Sequence, residues 1–468
     1  MNTYGQISAR LDRLPLARFH YQVIVALGFV FFFEFADLNT FAYAAPQMRL
    51  QFGMSIDQVA WITSVTFLGM FVGAAFGGRF ADVAGRRKGL VIGVGVFSVF
   101  SLFNAIAWDV PSLLAIRFLT GIGLSAMTVC ANTYLVEIMP ASYRGKAQSI
   151  VSFVGHLGIP AMAFMASVLV PVADNGWRFV FLVGGIGLVA LPLVLRLPES
   201  PRWLMVQGRR AEATTITEAI EAKVSATSGD LPELQPVDES AGRDVAKLPY
   251  RALFQGAVAR RTMLVAALWI FTTLGYYGFL SWVPTLLATQ GISVVKSLFY
   301  TMLMTLGAAP GALLAWPISN WLGRRKGIAL VCMLTAVFGV LFGFASSPAL
   351  VVLFGFCVSA LLMAFGAQMY LYSPELFPTS LRNSGNGLSY GLGRLANVVG
   401  PLIIAGIFNS FNYQAVFIYI AACWLLSAAL ILLFAPKQSE VDAVDVTDPA
   451  PAQRIPVTDG RPHHSVPA

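Results

Sequence analysis

The sequence predicts an all-α polytopic membrane protein, twelve transmembrane helices in two pseudo-twofold-related six-helix bundles. Three observations predict it. The 468 residues are 57% hydrophobic and 12% charged, with a mean hydropathy of +0.71, whereas a soluble globular chain carries about 25% charged residues. Apolar runs of the roughly 20 residues needed to cross a bilayer recur along the chain. The pattern of the first half repeats in the second at a constant offset. Long disorder, a collagen or a secreted disulfide scaffold are excluded by the same composition, and a water-soluble enzyme of this length is argued against.

The first six runs cover residues 21–44, 59–80, 89–107, 111–138, 147–170 and 179–195. The second six cover 262–289, 298–320, 328–345, 349–374, 385–410 and 413–434. Runs this long are helices and not barrel strands, because a lipid-exposed backbone must satisfy its own hydrogen bonds. Ala42-Tyr43-Ala44 resembles a signal-peptide cleavage site, but Glu34 and Asp37 in the stretch before it are foreign to a signal's apolar region.

Orientation follows from Lys and Arg, which gather on the cytoplasmic side of a membrane protein. The net charge of +8 comes from 31 Lys and Arg against 23 Asp and Glu. If both termini are cytoplasmic, only Arg49, Arg178 and Lys296 fall outside, and Arg117 and Arg394 lie within spans. The basic excess is therefore a topology signal, with no nucleic acid as partner. A multi-pass plasma-membrane protein is expected, in the inner membrane if the cell is bacterial. Cys130, Cys332, Cys357 and Cys423 all lie in apolar spans without ligand spacing, so they read as packing residues, and no metal site is expected.

The repeat has an offset of 238 residues. Residues 85–89 (GRRKG) recur as 323–327, residues 137–144 (EIMPASYR) as 375–382 (ELFPTSLR), and Pro46 as Pro284. Two homologous halves of equal topology imply an axis along the membrane normal and a solute site between the halves near the midplane. The chain then divides into a cytoplasmic segment (1–20), an N-terminal bundle (21–195), a polar linker (196–261) with a surface helix near 211–224, a C-terminal bundle (262–435), and an acidic, proline-containing disordered tail (436–468). One chain holds both halves, so a monomer suffices.

Two motifs carry a family resemblance. Residues 78–88 (GRFADVAGRRK), between spans 2 and 3, resemble the signature loop of the major facilitator superfamily. Residues 198–204 (PESPRWL), after span 6, resemble the matching motif of sugar porters and their organic-ion relatives. The resemblance spans about residues 20–435 and implies the superfamily's two-bundle fold and secondary active transport. Sugar porters usually carry a glutamine pair in span 7 and Pro-Glu-Thr after span 12. Here span 7 has none, and Ala435-Pro436-Lys437 follows span 12. Gly275-Tyr276-Tyr277-Gly278 with Trp282-Val283-Pro284 is closer to niacin-type and organic-ion transporters. Glu34-Phe35-Ala36-Asp37 resembles the acidic span-1 motif of aromatic acid:proton symporters, with Glu and Ala where Asp and Gly are usual. Gly391-Leu392-Gly393-Arg394 fits the same organic-anion group.

Charges at bilayer depth cost from about 2.5 kcal/mol upward, which singles out Glu34, Asp37, Arg117 and Arg394. The resemblance implies an Asp37–Arg117 pair near the central cavity. Such a pair would switch proton occupancy as it opens and closes, would be a static ion pair, or would line a wet cavity. Glu34 shares a helix face with Asp37, so either carboxylate is a candidate proton carrier. Arg394, the repeat counterpart of His156, offers a fork that fits a carboxylate and is the candidate anion site, unless it bridges to an interior acid. His156 is a candidate relay or solute donor, or a packing residue. Tyr43, Tyr276, Tyr277 and Trp282 are candidate solute contacts by virtue of their flat rings.

Asp82, Arg86 and Arg87 are expected to form a cytoplasmic gate, Asp82 capping a helix N-terminus and the arginines holding neighbouring span ends. Arg324 and Arg325 repeat them without the acid, since Asn320 replaces Asp82. Glu137 with Arg144 and Glu375 with Arg382 are expected as paired latches. These bonds are expected to favour the outward-facing state and to break on inward opening. No phosphate-binding loop or nucleophile–base constellation is visible, so the protein is not expected to be an enzyme, and protons are expected as the coupling ion with no other cofactor. The function expected is proton-coupled import of a small organic anion, an aromatic or heteroaromatic carboxylate. A sugar or polyol porter, a drug or organic-cation exporter, and a non-transporting receptor are the alternatives.

Overall fold

A computed structural model describes residues 3–234, 250–378 and 381–436. The expected disorder of the tail lies outside the described residues. Within them the chain is helical, without a strand. Eleven helical stretches are long and apolar enough to cross a membrane. One of them, Val294–Gly343, has 50 residues, about 75 Å of helix at full rise against ~30 Å of hydrocarbon. It is broken at Gly323, whose φ of 72° and ψ of 162° are not helical. Counted on either side of that break, the spans number twelve.

Spans 1 to 4 are Arg18–Phe52, Ile56–Ala84, Arg86–Asn104 and Val110–Ile138, and spans 5 and 6 are Ala141–Val172 and Trp177–Leu195. Span 7 is Gly256–Leu280, span 8 Val294–Thr305 with residues 308–322, and span 9 residues 324–343. Spans 10 to 12 are Pro348–Glu375, Arg382–Ser410 and Tyr413–Phe434. Helix ends follow caps and not hydropathy, which explains where sequence boundaries differ. Span 1 runs through Pro46 to a left-handed Gly53. Ser55, Asp109, Ser347 and Asn412 cap spans 2, 4, 10 and 12 through their side chains. Span 5 is interrupted at Leu157, and span 7 continues after Ser281-Trp282 as the short helix Val283–Thr289. The linker carries its surface helix at Arg210–Ser228. A helix at Tyr4–Asp12, which the apolar pattern does not signal, precedes span 1.

Six crossings in each half put the described ends of the chain and of the linker on one side, called here the terminal side. Packing within each half repeats with the sequence. A β-carbon at Gly69 or Gly73 of span 2 would overlap the carbonyls of Phe118 or Ile122 of span 4. Gly307 and Gly311 of span 8, 238 residues on, meet Phe356 and Ala360 of span 10 in the same way. Small residues let these backbones touch where no hydrophobic force drives them together. Outward faces expose large apolar side chains such as Phe29, Leu68, Phe103 and Leu353, as lipid contact requires. Cys130, Cys332 and Cys423 are buried packing residues and Cys357 is half-buried, all with free thiols.

The two halves touch at the midplane and on the side opposite the termini. Phe67 of span 2 meets Tyr277 of span 7 edge-on at 4.9 Å. Asn409 at the end of span 11 donates to Asp57 at the start of span 2, 2.8 Å. Phe41, Ala44 and Met48 of span 1 share one apolar cluster with Trp282 and Leu286. Tyr43, Met162 and Ala166 pack with Leu298 of span 8 in another. On the terminal side, the ion pairs among the described residues join no element of one bundle to the other.

Candidate solute and proton site

Two charged centres lie at mid-depth. In the first, Asp37 and Arg117 are 0% and 1% exposed. Their Oδ2 and Nη1 are 3.6 Å apart. Span 3 contributes Ser101, whose hydroxyl donates to Asp37 Oδ1, and span 6 contributes Gly184, where any side chain would collide with that carboxylate. Arg117 also donates to Thr66 Oγ1 at 3.3 Å and Thr40 Oγ1 at 3.4 Å, and lies 5.9 Å from the Phe41 ring. Every partner belongs to the N-terminal half. The pair implied by the resemblance is therefore formed, enclosed within one bundle.

The second centre lies in the C-terminal half. Arg394 of span 11 donates through Nε and Nη2 to Tyr390 Oη at 2.9 and 2.5 Å. Its Nη1 is buried with no hydrogen-bond partner, and among the described residues no ion pair includes it. Tyr390 stands four residues before Arg394, one helical turn away on the same face. Trp269 packs against both Tyr390, 4.8 Å, and Tyr370, 5.4 Å, so an aromatic wall rises beside the guanidinium. In the N-terminal half, Glu34 of span 1 is 2% exposed. Thr128 Oγ1 of span 4 is 2.5 Å from Glu34 Oε1, and Glu34 Oε2 has no partner.

His156 stacks on Phe35 with centroids 4.3 Å apart. Its Nδ1 meets the Ser152 carbonyl at 2.7 Å, which makes Nδ1 the protonated nitrogen and leaves Nε2 as the acceptor of the neutral ring. Tyr276 and Tyr277 touch edge-on at 5.1 Å, half-buried at the interface. Tyr43 and Trp282 are each 1% exposed, inside the packing that joins the halves and not on an open wall.

The terminal-side polar cluster corrects several expectations. Arg86 pairs with Asp82 and with Glu137, 3.0 Å. Arg324 pairs with Glu375, the same bond 238 residues on. Arg87 donates to the Leu195 carbonyl at the end of span 6, and Arg325 to the Ile431 and Leu432 carbonyls at the end of span 12, 3.2 and 2.5 Å. Glu137 is thus taken by Arg86, and Arg144 turns to Asp12, 2.9 Å. The Glu137–Arg144 latch is not formed, because the N-terminal helix brings a carboxylate closer. Glu375 is engaged by Arg324, and Arg382 stands at the first residue of span 11. Asp82 caps no helix. Glu199 does so, accepting from the Arg87 amide at 3.0 Å at the start of span 3. All these bonds stay within one half and its flanking segments. Ser101, Thr128, Tyr390, Asp12 and Glu199 were not singled out by the sequence. Only Glu199, inside the span-6 motif, and Tyr390, one turn from Arg394, carried a signal.

The sugar (and other) transporter profile matches residues 20–446. The chain belongs to that family. This transporter is 41% identical to the putative metabolite transport protein YyaJ of Bacillus subtilis, over 93% of this chain and 96% of YyaJ. The niacin transporter NiaP of Acinetobacter baylyi is 28% identical over 91% of this chain and 96% of its own. The 4-hydroxybenzoate transporter PcaK of Pseudomonas aeruginosa is 28% identical over 91% and 95%. The transporter shares its fold with the xylose transporter XylE from E. coli in a partially occluded inward-open conformation, with a TM-score of 0.74, 19% identity and coverage of 90% of this chain and 99% of that one. It is therefore an all-α major facilitator transporter of the multi-pass membrane class, near the sugar porters, and not an enzyme.

Proposed function

We propose that this transporter imports a small aromatic or heteroaromatic carboxylate together with a proton. The observation that carries the reading is Arg394, a buried guanidinium with an unpartnered Nη1 beside an aromatic wall. A planar carboxylate on a flat ring suits both features, the fork for the anion and Trp269, Tyr277, Tyr370 and Tyr390 for the ring. NiaP and PcaK are named for niacin and 4-hydroxybenzoate, both aromatic carboxylic acids. His156 and Tyr276 border the same interface and serve as solute contacts, with Tyr43 and Trp282 behind them.

The driving proton is carried by the span-1 carboxylates, Glu34 and Asp37, with Arg117 as the latter's partner. The Lys and Arg distribution supports cytoplasmic termini, and the bacterial relatives support an inner-membrane location. The terminal side then faces inward, the solute is released there, and the halves tip about the midplane contacts. One chain supplies the whole pathway, so the working unit is a monomer.

Uptake into proteoliposomes with an inward proton gradient tests this. Nicotinate or 4-hydroxybenzoate is expected to accumulate, and Arg394→Lys to raise KM ~10-fold or more, since hydrogen bonds to charged groups contribute about 1.5–3 kcal/mol. Uptake of neutral sugars, unaffected by Arg394→Lys, contradicts it.

A further inference from the structure

We infer that the Tyr390 hydroxyl is a second recognition group, a donor that selects, among aromatic carboxylates, those with a hydrogen-bond acceptor on the ring itself. This rests on the carboxylate reading above and deepens it. A phenol hydroxyl owns one hydrogen and two lone pairs. In both hydrogen bonds it makes among the described residues Tyr390 Oη accepts, from Arg394 Nε at 2.9 Å and from Nη2 at 2.5 Å. Its lone pairs are thereby spent, and its hydrogen is what it has left to offer. A hydroxyl that accepts from a cation is polarised by it and donates more strongly.

Three spans hold that hydroxyl in place. Trp269 of span 7 stands edge-on to Tyr390 with ring centroids 4.8 Å apart. The indole is itself tethered: Nε1 donates to Ser373 Oγ of span 10 at 3.1 Å, and Ser373 donates in turn to Asn386 Oδ1 of span 11. A β-carbon at Gly393 would come within 3.0 Å of Trp269 Cβ, and Thr273 Oγ1 lies 3.0 Å from the Gly393 carbonyl. Spans 7 and 11 are therefore in close contact beside the wall. Trp269 is buried, whereas Tyr390 and Arg394 are half-buried. The tyrosine is backed by a fixed indole and keeps an accessible side. Ser373 and Asn386 are positioning residues for it.

Tyr390 occupies the edge of the guanidinium formed by Nε and Nη2. The edge formed by Nη1 and Nη2, with Nη1 unpartnered, is left for the solute carboxylate, whose two oxygens it engages side by side. The Tyr390 hydrogen, on the neighbouring edge, then meets the solute's ring or a substituent on it. Against solvent, water serves that hydrogen. A bound ring displaces the water: a C–H edge strands the donor, whereas a ring nitrogen or a hydroxyl oxygen satisfies it. The site therefore favours a pyridine carboxylate over benzoate, and a hydroxybenzoate over its methyl counterpart.

Equilibrium binding of two isosteric pairs to the purified full-length transporter tests this: nicotinate against benzoate, and 4-hydroxybenzoate against 4-methylbenzoate. The wild type is expected to bind the acceptor-bearing member of each pair more tightly. Y390F is expected to lower each preference about fivefold, whatever it does to the overall affinity. Loosening the guanidinium alone would weaken both members of a pair alike and leave their ratio unmoved. Preferences that survive in Y390F overturn the inference. Equal binding within both pairs by the wild type also overturns it, and that result needs no variant to fold. R394Q is expected to weaken all four acids. Binding of none of the four to the wild type overturns the carboxylate reading and this inference with it, so the two failures are told apart.

Discussion

Arg117 and Arg394 are the same residue type at similar depth, and their surroundings set them apart. Arg117 is surrounded by Asp37, Thr40 and Thr66 of its own bundle. Arg394 keeps one nitrogen unpartnered. Removing Arg117 would strand a fully buried carboxylate, so Arg117→Ala is expected to destabilise by about 3–5 kcal/mol. Adding Asp37→Asn to that background should recover part of the loss, and thermal denaturation of the two variants checks both. The four intramembrane charges were legible in the sequence because such residues are rare at that depth. Their partners were not. Ser101 and Thr128 are ordinary span residues until folding brings them against Asp37 and Glu34, and no single-sequence pattern marks that.

Among elements, the 238-residue repeat reaches down to individual bonds: Arg86–Glu137 reappears as Arg324–Glu375, and the Gly69–Phe118 contact as Gly307–Phe356. Gly73→Ala is expected to cost at least ~1–3 kcal/mol, because its methyl group would force spans 2 and 4 apart. Gly95→Ala in span 3, where nothing lies within reach of a new methyl, is expected to be neutral or stabilising. Urea or thermal titration of the pair separates packing from propensity. The N-terminal helix is the element the apolar pattern could not show, since it is polar and short. Arg10 and Arg13 clamp Glu221 of the linker helix, at 2.5 and 2.8 Å. Burial pushes the Glu221 carboxyl up, but hydrogen bonds from Arg10 and Arg13 and their charges outweigh it and hold it below its usual 4.5. A depressed carboxyl stabilises the fold fully above its unfolded value and loses that contribution as pH falls through the lower folded value. Protease cleavage between residues 13 and 18 is therefore expected to speed up as pH drops below about 4.5, and Glu221→Gln to abolish that dependence.

For the whole molecule, twelve spans and two halves followed from apolar runs and the repeat. What the sequence could not show is which side is bridged, because that depends on contacts such as Asn409–Asp57 and Phe67–Tyr277 between residues far apart in the chain. The alternating account expects those contacts to open when the terminal side closes. A cysteine placed at Tyr370 should react with impermeant thiol reagents from the terminal side, and protection should grow once solute and proton are bound together.

The central claim is that the solute crosses as an anion accompanied by a proton. Simultaneous recording of internal pH and labelled nicotinate or 4-hydroxybenzoate in proteoliposomes, with the membrane potential clamped at different values, tests it most directly. The account predicts that internal acidification tracks uptake at about one proton per anion and that the rate ignores the potential. Anion entry that follows the potential and leaves internal pH unchanged would contradict it.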